Sequence, residues 1–252
     1  KMNCSELNVL LSPYEYASLS NINLSQTSCV VFDVLRATST MTVALMNGAK
    51  GILPCVKMEE AIAAREADPE LVLAGERGGK RITSQLSHSF DFDLGNSPSE
   101  MKRELVFGKR IATITTNGTH AIKACKGAQQ VFIGSLLNMS ALKQKILNIN
   151  PKRLLLVCAG TGETPALEDT LGAGALCDLL WLQLEKAATD SARMACDVYR
   201  KNHMQLLEAA SEAKNARHLL RIPELAPDIE ICMQQDTHPV IGEMNSDGWI
   251  TL

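Results

Sequence analysis

Four apolar runs in this sequence end alike, and the shared ending limits the fold more than any other feature. Each is a β-rich stretch that gives way to a polar or glycine-rich loop, after which a helix-periodic segment begins. Residues 29–32 precede Asp33-Val34-Leu35-Arg36-Ala37-Thr38, and residues 71–74 precede Gly75-Glu76-Arg77-Gly78-Gly79. Residues 111–114 precede Thr115-Thr116-Asn117-Gly118-Thr119, and residues 155–158 precede Ala159-Gly160-Thr161-Gly162. Alternation of this kind marks an α/β protein. The expected fold is a layered α/β/α arrangement with a largely parallel or mixed sheet. Ligands of open α/β sheets bind outside the carboxyl ends of the strands. If the four strands run parallel, their loops converge on one crevice.

The same patterns predict strands over 9–11, 29–32, 51–53, 71–74, 110–114, 131–133, 154–158 and 228–232. Helices are expected over 39–46, 58–67, 98–105, 119–126, 139–147, 167–186 and, with a break, 191–220. Ser97-Pro98-Ser99-Glu100 reads as a cap, an N1 proline and an acidic first turn. With no repeat or low-complexity linker, residues 1–252 are expected to form one domain, or two lobes sharing a sheet with the site between them. Residues 223–227, from proline to proline, are the best candidate hinge.

Charge and composition narrow the function. Lysine and arginine number 25 against 28 aspartates and glutamates, a net −3 that lacks the basic surplus for nucleic-acid binding by phosphate neutralisation. With 46% hydrophobic and 21% charged residues the chain can build a core, and disorder is excluded. The eight cysteines lack metal-ligand spacing and several sit in apolar runs, as expected of buried, reduced thiols in a cytoplasmic protein. No stretch approaches the ~18 apolar residues of a membrane helix, and the start lacks a signal-peptide pattern. Lys1, ahead of Met2, reads as an added residue.

The loops carry a consistent set of groups. Asp33, Glu76 and the pair Glu168-Asp169 offer hard carboxylate oxygens suited to Mg²⁺. Arg36 and Arg77 offer planar forks for an oxyanion. Asn117-Gly118-Thr119 and Gly160-Thr161-Gly162 are turns at which backbone N–H groups can meet phosphate. Together they point to a Mg²⁺-dependent reaction on a phosphorylated acid. Each also has a plainer role: Asp33 as a helix cap, Glu76-Arg77 as a surface ion pair, Asn117-Gly118 as a turn, Glu168-Asp169 as an acidic first turn.

The motifs resemble the 2-phosphosulfolactate phosphatase (ComB) family. The likeness runs from about Val9 to about Cys232 and is carried by Val31-Phe32-Asp33-Val34-Leu35-Arg36-Ala37-Thr38-Ser39-Thr40, then Ala74-Gly75-Glu76-Arg77-Gly78-Gly79 and Asp93-Leu94-Gly95-Asn96-Ser97-Pro98. It continues through Thr115-Thr116-Asn117-Gly118-Thr119, Cys158-Ala159-Gly160-Thr161, Leu167-Glu168-Asp169 and Gly172-Ala173-Gly174-Ala175. The resemblance implies a Mg²⁺-dependent phosphatase that converts 2-phospho-3-sulfolactate and water to 3-sulfolactate and phosphate, in methanogens a step of coenzyme M biosynthesis. Residues 80–92 are longer than the family pattern leads one to expect. Their place after a site loop makes them a candidate lid or a determinant of substrate choice.

On this reading Asp33, Arg36, Glu76 and Arg77 are the catalytic candidates. Asp33 and Glu76, with Glu168 or Asp169, would hold Mg²⁺. Thr38, Ser39, Asn117, Gly118, Thr119, Gly160 and Thr161 would cradle phosphate, and Arg77 or Lys80 would meet the sulfonate or carboxylate. Water or Asp33 itself would be the nucleophile. The expected partner is a small phosphorylated sulfonate, not nucleic acid or membrane, with a homo-oligomer left open. A haloacid-dehalogenase-type phosphatase is the runner-up, although Leu35 stands where its second aspartate belongs. A non-catalytic oxyanion-binding protein is the third reading.

Overall fold

The computed structural model describes residues 2–252; Lys1 lies outside the described residues. Its strands are β1 (Glu6–Leu10), β2 (Thr27–Phe32), β3 (Gly51–Cys55), β4 (Val72–Arg77), β5 (Lys80–Arg81), β6 (Arg110–Ile114), β7 (Gln130–Gly134), β8 (Arg153–Cys158), β9 (Glu243–Met244) and β10 (Ile250–Thr251). They form one mixed sheet in the order β1-β8-β2-β7-β9-β10-β3-β6-β4-β5. Strands β1, β8, β2 and β7 pair in parallel, as do β3, β6 and β4. The short hairpin β9–β10 joins these two half-sheets through antiparallel steps at Phe132↔Glu243 and Ile250↔Ile52.

Three antiparallel steps between β7 and β3 reverse the strand sense across the bridge. The four loops therefore do not come from one run of parallel neighbours. Those after β2 and β8 belong to one half-sheet and those of β4 and β6 to the other, yet both halves bring carboxyl ends to the same crevice.

Side-chain alternation along the central strands sets the layers. Val30 and Phe32 of β2, with Leu154, Leu156 and Cys158 of β8, pack into one cluster with the helices Met139–Ile149, Leu167–Leu184 and Asp190–Asn202. Cys29, Val31, Leu155 and Val157 face the other way, against Ala37–Met46 and Gly118–Ala124. This second cluster also takes Ile52, Ile111 and Ala74, so one core is shared by both half-sheets. A third cluster, with Leu73, Ala112 and Ile114, lies beneath the helix Met58–Ala67. Each fully buried Leu, Ile or Phe contributes roughly 1.5–3 kcal/mol.

Several expectations are corrected. Residues 228–232, expected as a strand, lie in the helix Pro227–Cys232: Pro227 opens it, and Ile229 and Cys232 bury one face at i,i+3 spacing. Residues 98–105 are a 3₁₀ turn, Pro98–Glu100, and a short helix, Arg103–Val106. The Ser97 cap holds: its side chain accepts from the Ser99 N–H at 3.2 Å. Residues 80–92 are no free flap. Lys80–Arg81 pairs back on β4, and Ile82 and Phe92 are buried in the third cluster. The eight cysteines are free thiols, seven of them buried. Among the described residues, no helix is long and apolar enough to cross a membrane.

Candidate functional site

Local bonding builds the first wall from the end of β2. The Asp33 carbonyl accepts from Thr38 N, its Oδ1 accepts from Ala37 N at 3.2 Å, and its own N–H donates to the Thr38 hydroxyl at 2.9 Å. The Ser39 hydroxyl donates to the Val34 carbonyl, and Thr42 to that of Thr38. Thr38 and Ser39 are thus fully buried and engaged with backbone, which is why a helix so rich in hydroxyls can be covered on every side. Gly118 closes on this turn: a Cβ there would lie 2.5 Å from Asp33 Oδ2 and 2.6 Å from the Ala37 Cβ.

Around that turn the four loops enclose a crevice of about 190 Å³. This is small beside the ~300–1,000 Å³ of drug-sized pockets. Of the residues singled out in the sequence, Asp33, Arg36, Glu76, Asn117, Gly160 and Thr161 line it. Leu35 and Asn96 join them, with Gly78 and Gly79, Thr115 and Thr116, and, from outside the four loops, Asn215, His218 and Leu219. Leu35 brings an apolar wall where a haloacid-dehalogenase-type enzyme would carry its second acid.

Of the remaining sequence candidates, Thr38, Ser39, Gly118, Thr119, Glu168 and Asp169 are buried behind the wall, whereas Lys80 is exposed and lines a neighbouring cavity. Thr119 exchanges bonds with Thr115, and Gly118 is part of the packing under Asp33. Glu76 and Arg77 are the last residues of β4 rather than loop residues, so the strand pleat sends their side chains to opposite faces. Glu76 enters the crevice; Arg77 does not line it, and no Glu76–Arg77 ion pair occurs among the described residues. The Asn117 amide is also committed, donating to the carbonyls of Ala159 and Gly162 at 3.0 and 2.9 Å and so tying the β6 and β8 loops together.

The acids divide by how their oxygens are used. Asp169 accepts from Val34 N at 2.8 Å and from Gly160 N at 2.9 Å, one bond per oxygen, and so clamps the β2 and β8 loops. Glu76 accepts from Thr116 N, the Thr116 hydroxyl and Gly79 N. Asp33 Oδ2 has no such clamp, and Glu168 Oε2 is buried without any hydrogen-bond partner. Burial, reinforced by Glu76 and Glu168, pushes the Asp33 carboxyl up to about 7. Burial likewise raises Asp169, helped by Asp33 and Glu168. It raises Glu168 too, against hydrogen bonds from its own backbone and from Asn215.

Mutually repelling buried acids with an orphaned oxygen suit a hard cation. Among the described residues no three Asp, Glu, His or Cys side chains form a closed metal cage. Mg²⁺ needs none, since it commonly takes one or two carboxylates and completes its shell with water and substrate phosphate. The donors present therefore fit that ion.

Arg36 supplies the positive charge. Its Nη1 donates to Asp228 Oδ2 at 2.8 Å and its Nη2 to the Gly79 carbonyl at 2.8 Å. Asp228, Asn215 and His218 lie outside the strand-end pattern, and none of them is expected at the site from the sequence.

The sequence is similar to those of known proteins over most of its length. The family model described as 2-phosphosulpholactate phosphatase matches residues 15–247. A protein of Caldicellulosiruptor saccharolyticus named probable 2-phosphosulfolactate phosphatase is 37% identical over 226 residues, covering 88% of this chain and 90% of its own. A protein of that name from Caldanaerobacter subterraneus subsp. tengcongensis is 36% identical, with 94% and 96% covered. One from Synechocystis sp. is 33% identical, with 88% and 90% covered. Because the family model covers most of the chain and these relatives match it over nearly their whole length, the chain belongs to the 2-phosphosulpholactate phosphatase family.

Proposed function

We propose that the chain hydrolyses 2-phospho-3-sulfolactate to 3-sulfolactate and phosphate, with Mg²⁺ as cofactor. The observation that carries this reading is the meeting of Asp33, Glu76 and Arg36 in one small crevice, beside a buried acid with an orphaned oxygen. The substrate bears a carboxylate, a sulfonate and a phosphate, about −3.5 to −4 at neutral pH. Carboxylates alone would repel it, so the site needs Arg36 and a cation. Asp33 and Glu168 are the residues that would hold the ion, with Glu76 and Asp169 fixing the loops around them. When bound, Mg²⁺ supplies charge stabilisation to the phosphoryl oxygens.

The protein's own groups do the rest. Arg36, pinned on two sides, offers its remaining N–H donors to an oxyanion. Asp33 Oδ2, which no backbone group clamps, would either orient the attacking water or itself attack phosphorus with release of 3-sulfolactate, water then hydrolysing the phosphoaspartate. The Leu35 and Leu219 side chains limit water at the crevice wall.

The test is phosphate release from 2-phosphosulfolactate and from other 2-phospho acids, with Mg²⁺ and with EDTA. The expected result is turnover that is fastest on the sulfonate, ceases in EDTA and returns with Mg²⁺. Asp33→Asn should lower kcat by at least ~10³, as loss of a reacting group does. EDTA-resistant turnover would remove the metal, and an active Asp33→Asn enzyme would remove the central role of Asp33. Phosphoaspartate trapped at position 33 would identify the carboxylate as the nucleophile.

A further inference from the structure

Asp228 lies almost two hundred residues from the arginine it holds, on the helix Pro227–Cys232, and is fully buried. Both its oxygens are engaged. Arg36 Nη1 donates to Oδ2 at 2.8 Å, and the hydroxyls of Ser97 and Ser99 donate to Oδ1 at 2.7 and 3.4 Å. The Gly79 carbonyl fixes the other nitrogen of the guanidinium.

Stability is a weak reason to keep such a pair. Removing two charges from water costs about as much as their attraction returns, and a well-packed apolar pair often serves a fold equally well. What the pair gives is direction. A guanidinium has five donors in a rigid plane, and fixing two of its edges determines where the others point. Arg36 lines the crevice and also a neighbouring cavity of about 450 Å³, so without a fixed partner it has a second space to occupy.

We propose that Asp228 is a positioning residue for the reaction, holding the Arg36 guanidinium toward the phosphoryl group, with Ser97 as its support. The proposal rests on the reading that Arg36 receives an anionic group of the substrate. It adds a part of the chain that the strand-end loops do not contain. The helical segment after Asn202 then does more than cover the core, because it sets the direction of a charge in the crevice.

A double-mutant cycle on the full chain tests it, using Asp228→Asn, Arg36→Lys and both together. The readouts are kcat, KM and the inhibition constant for inorganic phosphate. Asp228→Asn is expected to lower kcat/KM at least tenfold and to weaken phosphate inhibition. The double variant should be no more than about threefold worse than Arg36→Lys, because the two residues act as one unit. Losses that multiply would overturn the proposal, as would an Asp228→Asn enzyme with unchanged kinetics and only a lower Tm.

If Asp228→Asn does not fold, Ser97→Ala keeps the ion pair and removes one support. It should weaken phosphate inhibition three- to tenfold in the parent and not in the Arg36→Lys background; an unchanged constant counts against the idea. If the parent chain releases no phosphate from 2-phosphosulfolactate, the substrate reading fails by itself. Calorimetric binding of inorganic phosphate to the same variants then decides the role of Asp228, and a parent chain that binds no phosphate overturns it.

Discussion

At Asp33 the two carboxylate oxygens have different fates. Oδ1 caps the helix Ala37–Met46, whereas Oδ2 lies against Gly118 at the crevice and keeps no clamp. Burial, the largest influence, together with neighbouring acids, pushes this group to about 7, against ~3.9 in an unfolded chain. Between these values the folded protein binds more protons than the unfolded one, so stability falls as pH rises through the window and levels off above 7. In metal-free protein, urea unfolding at pH 5 and pH 8 should reveal this decline. Asn at position 33 keeps the cap and loses the charge, so Asp33→Asn should exceed the parent in stability at pH 8 by more than ~1 kcal/mol. A parent that is equally stable at both pH values, or a less stable variant at pH 8, contradicts that account.

Residue identity in the sequence carried the crevice as far as polar groups sit at strand ends, which is how Asp33, Arg36 and Glu76 were found. It did not separate a hydroxyl facing ligand from one facing backbone. Thr38, Ser39 and Thr119 have the chemistry of a phosphate cradle, but each lies in the first turn of a buried helix with its hydroxyl already hydrogen-bonded to main-chain atoms. Arg77 failed for another reason: β4 runs three residues farther than its apolar run, and the pleat turns Arg77 away.

Among the elements, the helix Leu167–Leu184 shows what the Gly172-Ala173-Gly174-Ala175 motif does. A Cβ at Gly172 would meet the side chain of Val34 at 2.9 Å, and one at Gly174 would collide with the Ala195 carbonyl on Asp190–Asn202. The small residues let this helix approach the β2 loop on one side and the next helix on the other. Close approach is needed because Glu168 and Asp169 ride on its first turn. Gly174→Val should therefore destabilise the protein by ~1–3 kcal/mol, read as a lower urea midpoint, and should reduce activity in the surviving folded fraction. Unchanged stability would mean that the two helices can separate freely. Long apolar strands were legible in the sequence by composition. The helix carrying Asp228 was not, because Asp228-Ile229-Glu230-Ile231-Cys232 alternates as a strand would, and tertiary burial of Ile229 and Cys232 outweighs that rhythm.

For the molecule as a whole, the joint between the half-sheets depends on very little chain. Strands β9 and β10 have two residues each, and Ile250 is the fully buried residue paired with Ile52. No element is expected from the sequence after residue 232, because two-residue strands are too short for periodicity to reveal. Ile250→Ala should cost ~2–5 kcal/mol, as other buried Ile truncations do. Loss should appear in one cooperative transition, since a single apolar cluster contains residues from both halves. Two separated transitions in calorimetry would indicate that the halves melt independently.

The joint also has a consequence in time. Residues 243–251 are synthesised after every strand that they connect, and β1 waits for β8, its partner across almost 150 residues. A growing chain emerges from the ribosome start first. Asp33, Glu76 and Asn117 all leave the ribosome before the pieces that bring their half-sheets into register. A partly made chain thus carries these side chains without the strands that bring the two walls of the crevice together.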